Sequence, residues 1–170
     1  VIKSINKKYI LLLAIAAFVV CLDQATKTYI HTEFSLHEIS PVIDNFFNIT
    51  YVRNEGAAFG FLNTASFRHV FFLIVPVIAM ITILFMLHGV KSDDRIQILA
   101  LSSIFGGALG NYIDRLKLGF VVDFLDFHWK DQYHFPSFNV ADMAIVGGVG
   151  LLIFVIILET KELKAKETAK

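Results

Sequence analysis

Residues 70–87 read VFFLIVPVIAMITILFML, eighteen positions without a charge. A bilayer core of about 30 Å takes about 20 mostly apolar residues in a helix rising about 1.5 Å per residue, so this stretch predicts a transmembrane helix. Its Pro76 is tolerable there as a kink, because neighbouring helices re-satisfy the freed backbone groups. Three further stretches have the same character: 9–27, 96–113 and 140–158. The first reaches full length only by carrying Asp23 and Lys27 toward the far interface. The third holds Gly106 and Gly110 in GxxxG spacing beside Gly107 and Ala108, and the fourth holds Ala144, Gly147, Gly148 and Gly150, small residues that let helix backbones approach closely.

Composition agrees with a membrane as solvent. Of the 170 residues, 56% are hydrophobic and 18% charged, against about 45–50% and about 25% in soluble domains. The formal net charge is zero, which leaves no basic stripe for nucleic acid. Cys21 is the only cysteine, so an intrachain disulfide and a multi-thiolate metal site are excluded. Lys3, Lys7 and Lys8 precede the first span, Lys91 and Arg95 lie between the second and third, and four lysines follow the fourth. Four spans put these groups on one side, and the positive-inside rule makes that side the cytoplasm, with both termini there. A lysine-rich start before an apolar stretch also resembles a cleaved secretory signal, but no small-x-small site follows, so the first stretch is expected to remain as a span.

The whole chain, 1–170, is therefore expected to form a single integral membrane domain whose longer connections, about 28–69 and 114–139, face outward. The expected class is a mainly α membrane protein with four transmembrane helices. Residues 46–61, FFNITYVRNEGAAFGF, pass from β-branched and aromatic residues into an Asn, Glu, Gly cluster, as a hairpin would. Residues 119–127, GFVVDFLDF, are a second strand candidate, and the two suggest a small extracytoplasmic sheet. Residues 32–43 suggest a short amphipathic interfacial helix.

Ionisable groups at membrane depth cost about 2.5–3.5 kcal/mol at a helix centre on insertion scales, so each needs an explanation. Asp142 lies one turn inside the fourth span. Read alone, it serves equally as a dipole-compensating carboxylate with Asn139 or Ser137 as cap. Asp123, in VVDFLDF, changes the balance, because the third span exits and the fourth re-enters on the same side and the two aspartates can meet at the outer surface. Two carboxylates sharing a site do not both ionise easily, so one keeps a proton while the other activates water, the equipment of amide hydrolysis. Asp126 competes with Asp123 but reads as part of a wet interfacial rim beside Trp129 and Lys130. Asp23 and Lys27, four apart, suit a local ion pair; Asp114 and Arg115 suit a structural charge pair. Asn54 and Gly56 stand in VRNEGAAFG, where small residues leave room for a peptide backbone.

Other chemistries fit poorly. No HExxH motif exists, and His128 with His134 lacks a compelling third ligand beyond nearby aspartates, so neither a metal nor another cofactor is expected. No Gly-x-Ser-x-Gly elbow occurs, and Cys21 is expected to be buried in an apolar run where a thiol resists ionising. An ion-coupled transporter would use paired carboxylates, but the two halves show no repeat. A non-catalytic assembly protein would use the GxxxG contacts but has no need of an acidic pair.

The motifs LDQATK (22–27), VRNEGAAFG (52–60), GGALGNYIDR (106–115), VVDF (121–124) and FNVAD (138–142) together resemble bacterial lipoprotein signal peptidase, the signal peptidase II family, in order and across the chain. The resemblance implies an aspartic endopeptidase with Asp123 and Asp142 as catalytic dyad, and with Asp23, Asn54, Gly56, Asn111, Arg115 and Asn139 lining or bracing the site, beside the Lys27 and Asp114 singled out above. It implies four helices with a β-cradle and an interfacial helix in the bacterial inner membrane. The implied substrate is a prolipoprotein with a diacylglyceryl cysteine, cut just before that cysteine. Membrane lipid and globomycin-type inhibitors are the other implied partners, and the expected state is a monomer.

Overall fold

The structure, a computed structural model, describes residues 7–56, 65–130 and 133–168. In chain order the elements are α1 (Lys7–Glu33), β1 (Ile39–Ile43), β2 (Phe47–Asn54), α2 (Ala65–Gly89), α3 (Arg95–Leu118), β3 (Val121–Trp129), β4 (Tyr133–His134) and α4 (Val140–Thr168). All four helices contain stretches long and apolar enough to cross a membrane. The most apolar windows of α1, α2 and α4 are only 11–17% buried, whereas that of α3 is 50% buried. Thus α3 is the hub, packing against the other three helices, and the rest turn side chains such as Phe18, Phe85, Val146 and Phe154 outward, which in lipid is the expected state of a membrane helix.

Glycines explain how α3 can be central. A side chain at Gly106 would run into Ala16 and Val19 of α1, and one at Gly107 into the Ala141 carbonyl of α4. On α4, Gly148 meets Ala100 and Ile104 of α3 in the same way. Bare backbone at these crossings permits the close approach expected of small-residue seams. Below them Leu12, Ile83, Leu87, Ile98 and Leu101 form an apolar core shared by α1, α2 and α3.

Several helix ends are individually satisfied. Asp94 caps α3 by accepting from the Gln97 N–H at 3.0 Å, and Gly119 ends it in the left-handed region at φ 83° with its N–H donating to the Arg115 carbonyl. Lys8, buried on α1, donates to the His88 and Val90 carbonyls at 2.7 and 2.8 Å, neutralising the C-terminal end of α2. The start of α1, the α2–α3 turn and, through Gln97 to Glu159, the far part of α4 therefore share one end of the bundle.

The sheet lies at the opposite end, in the order β1-β2-β3-β4 with antiparallel pairs. Two expectations need correction here. Residues 32–43 hold no interfacial helix: α1 runs on to Glu33, the chain turns through His37 at φ 66°, and 39–43 pair with β2 as β1. Ile39, Val42 and Ile43 favour an extended strand, and Pro41 forbids a helix interior. A hairpin turn lies at 44–46, with Asn45 at φ 60°; residues 57–61 of the hairpin expected over 46–61 lie outside the described residues. Cys21 is exposed on the outer surface of α1, because the helix turns Asp23 and Lys27 inward instead.

Candidate active site

The fourth helix begins at a reciprocal cap. Asn139 Oδ1 accepts from the Asp142 N–H at 2.9 Å, while Asp142 Oδ2 accepts from the Asn139 N–H at 3.2 Å. This is the capping-box arrangement, so the capping reading of Asp142 is realised. It does not use up the residue. Asp142 Oδ1 accepts from Asn111 Nδ2 at 2.8 Å, and the carboxyl is only partly buried.

Asn139 joins the cap to Asp123. Because its Oδ1 is held by the Asp142 N–H, its Nδ2 must turn the other way, donating to Asp123 Oδ1 at 2.7 Å, to Asn111 Oδ1 at 3.2 Å and to the Val122 carbonyl at 3.3 Å. Asn139 is fully buried. The other oxygen, Asp123 Oδ2, accepts from Asn54 Nδ2 at 2.9 Å. Asn54 is oriented in turn by the Gly56 N–H, which donates to its Oδ1 at 2.9 Å. Gly56 has φ +78°, and a side chain there would strike the Phe72 ring, so glycine is needed on both counts. Burial pushes the Asp123 carboxyl up to about 6, helped by the nearby Asp142 charge and opposed by the bonds from Asn54 and Asn139 and by Lys27.

A second layer of charge braces this pair from behind. Lys27 Nζ lies 2.9 Å from Asp23, 3.1 Å from Asp114 and 2.8 Å from Asn111 Oδ1, all four residues being buried. Asp23 Oδ1 accepts from the Ala141 N–H at 2.9 Å, so α1 satisfies a first-turn donor of α4. Asp114 Oδ2 accepts from the Val122 N–H at 3.1 Å, tying α3 to β3. Gly110 completes the fit, since a side chain there would come within 2.5 Å of Asp23. A lysine between two carboxylates, with an amide to receive its third proton, is a buried charge with its partners supplied.

All ten expected site residues are thus at one end of the bundle, but two roles change. Asp114 pairs with Lys27, which lies far away in sequence, and not with its neighbour Arg115. Arg115 extends over the Phe72 ring at 5.1 Å and faces the charges of Asp142, Asp123 and Asp114. Asp126 is no wet rim: it is 7% exposed, accepting from Asn48 Nδ2 at 3.0 Å across the β2–β3 pair. Sequence reading passed over Gln24, which donates to Asp114 Oδ1 at 2.7 Å and to the Gly110 carbonyl at 3.2 Å; its place beside Asp23 in LDQATK was the available signal. It also passed over Tyr51, whose hydroxyl meets His31 Nδ1 at 2.6 Å and Arg53 Nε at 2.9 Å. Beside Asp142 an apolar cavity of about 520 Å³ opens between Phe135, Phe138, Met143 and Val146.

Comparison with known proteins gives this arrangement a family. Residues 15–158 match the family model described as signal peptidase (SPase) II. The chain is 50% identical over 140 residues to the lipoprotein signal peptidase of Geobacter sulfurreducens, covering 82% of this chain and 87% of that protein. It is 48% identical over 159 residues to that of Syntrophus aciditrophicus, covering 92% and 98%. A solved structure described as a bacterial membrane enzyme superposes with a TM-score of 0.76 at 38% identity, covering 89% of this chain and 90% of the other. Family model, near full-length relatives and fold agree, and the chain belongs to the signal peptidase II family.

Proposed function

We propose that the chain is a membrane aspartic endopeptidase that removes the signal peptide of diacylglyceryl-modified prolipoproteins, cutting just before the lipidated cysteine. The observation that carries this is Asn139, one buried amide bonded at once to Asp123 and to the backbone N–H of Asp142. It holds two carboxyls of different surroundings at one point. Asp123, whose carboxyl burial pushes up to about 6, is the one placed to carry the proton; Asp142 receives two N–H donors at a helix N-terminus, where the dipole favours a carboxylate.

In this reading Asp142 takes a proton from a water whose oxygen adds to the scissile carbonyl carbon, while Asp123 gives its proton to the carbonyl oxygen. The tetrahedral intermediate then collapses. The C–N bond breaks, the nitrogen of the leaving cysteine takes the proton from Asp142, and the carbonyl re-forms by returning a proton to Asp123. The apolar cavity beside Asp142 accommodates acyl chains or apolar signal-peptide side chains. In this reading both termini lie in the cytoplasm and the dyad at the outer face of the bacterial inner membrane, an orientation the lysine distribution supports.

The test is cleavage by the purified chain of a prolipoprotein with and without the diacylglyceryl group. Cleavage of the lipidated form alone, blocked by globomycin, supports the reading; equal cleavage of both forms, or of neither, overturns it.

A further inference from the structure

The outer sheet carries a second cluster of chemistry-bearing side chains that the dyad does not use. Asp126 and His128 are two apart on β3, so strand alternation gives them one face, and Asp123, three positions from Asp126, the other. His134 of β4 pairs directly with His128 across the β3–β4 ladder, with ring centroids 5.3 Å apart. One ligand atom from each of Asp126, His128 and His134 lies within 4.8 Å of the others, and His134 Nδ1 is already 3.6 Å from Asp126 Oδ1.

We propose that Asp126, His128 and His134 form a binding site for one first-row divalent cation of the Zn²⁺ type, separate from the peptidase dyad. Two imidazoles and a carboxylate are a ligand set for such ions, with a remaining position open to water. Tetrahedral ligands bonded at about 2.0–2.1 Å stand roughly 3.3 Å apart. The cluster therefore has to contract modestly, and the His134 side chain, 54% exposed, is free to turn inward while Asp126 and His128 stay fixed.

The support around the first ligands is already built. Asn48 Nδ2 donates to Asp126 Oδ2 at 3.0 Å and lies 3.4 Å from His128 Nε2. It thereby sets the carboxylate so that Oδ1 faces His134, the outer hydrogen bond that orients metal ligands elsewhere. A bound cation would clamp β4 to β3. Phe135, next to His134 and bonded through its N–H to the Phe127 carbonyl, lines the apolar cavity beside Asp142, so the clamp would steady one wall of that cavity.

The experiment uses the untagged full-length chain in detergent, stripped with chelator and titrated calorimetrically with Zn²⁺, and with Co²⁺ followed by its visible absorption. One ion per chain with micromolar or tighter affinity is expected, with nitrogen and oxygen ligation in the Co²⁺ spectrum. His134→Ala, a change at an exposed position, should abolish that 1:1 binding, and Asn48→Ala should weaken it by about 10- to 100-fold. No saturable 1:1 binding, or the same affinity in His134→Ala, overturns the site. Cleavage by the wild-type chain should persist in chelator; its loss, restored by Zn²⁺, would overturn the separation from the dyad.

Discussion

Replacing Asn139 with alanine separates the two tasks this residue performs. The change removes the N-cap of α4, worth about 0.5–2 kcal/mol. It also removes the buried donor to Asp123 Oδ1 and the Val122 carbonyl, and each acceptor left without a donor costs about 1–3 kcal/mol. Since the losses share one side chain and are not additive, a net destabilisation of about 2–4 kcal/mol is expected from these terms. Asn139→Ser restores an acceptor for the Asp142 N–H, and with it about 1 kcal/mol, but no donor reaches Asp123. Thermal unfolding in detergent should therefore rank wild type above Ser above Ala. Turnover should fall in both variants by about 100-fold or more, the scale of a misplacement of about 1 Å at a reacting group. Because the Asn139 bond favours the ionised form of Asp123, its loss should also move the alkaline limb of the pH–rate profile upward in both. If folded Asn139→Ser cleaves a lipidated precursor within a few-fold of wild type, Asn139 is a helix cap alone and the bridge carries no catalytic meaning.

Lys27→Met leaves Asp23 and Asp114 buried without their cation, so about 3–5 kcal/mol should be lost, seen as poor accumulation of folded protein; normal accumulation would refute the ion cluster. The raised Asp123 pKa gives a signed pH effect. The folded chain holds this proton from the ordinary 3.8 up to about 6, so its contribution favours folding at low pH and is lost as pH rises through that window. At about 1.36 kcal/mol per unit, with the unfolded carboxyl already partly ionised at pH 4, the stability of wild type relative to Asp123→Asn should fall by roughly 2 kcal/mol between pH 4 and 7, measured by paired denaturation curves. In a Cys21→Ala background, a cysteine placed after Thr168 should resist an impermeant thiol reagent applied from outside, and labelling there would invert the topology.

Local features of the chain announced much of this. The apolar blocks became helices because in lipid only a helix satisfies its own backbone along such a run, and the Asp23–Lys27 pair was legible because four residues make one helical turn. The ends were less so. Hydropathy fades after Cys21, yet α1 continues to Glu33, since its polar residues find partners on α3 that no local window reveals. β1 was misread because all five of its residues are exposed, leaving no alternation of burial to betray a strand; only its pairing with β2 defines it. Asp126 looked solvated for the same reason: its cover comes from Asn48, on a different strand. Asp114 was assigned its neighbour as partner when its true partner, Lys27, is on another helix. What the sequence left out was contact between elements, which in this protein is where most of the buried charge is settled.

The central claim rests on two carboxyls that must both be present in different protonation states. Asp123→Asn and Asp142→Asn keep the shape of each side chain and remove one ionisable partner. The decisive measurement is turnover of a diacylglyceryl-modified prolipoprotein by each purified, folded variant. Either substitution alone is expected to abolish cleavage, while Asp126→Asn, whose carboxyl is bonded to Asn48 and not to the Asp123–Asn139 network, retains it. Near-normal turnover by Asp142→Asn would leave Asp142 as the N3 carboxylate of a capping box and contradict the aspartic mechanism.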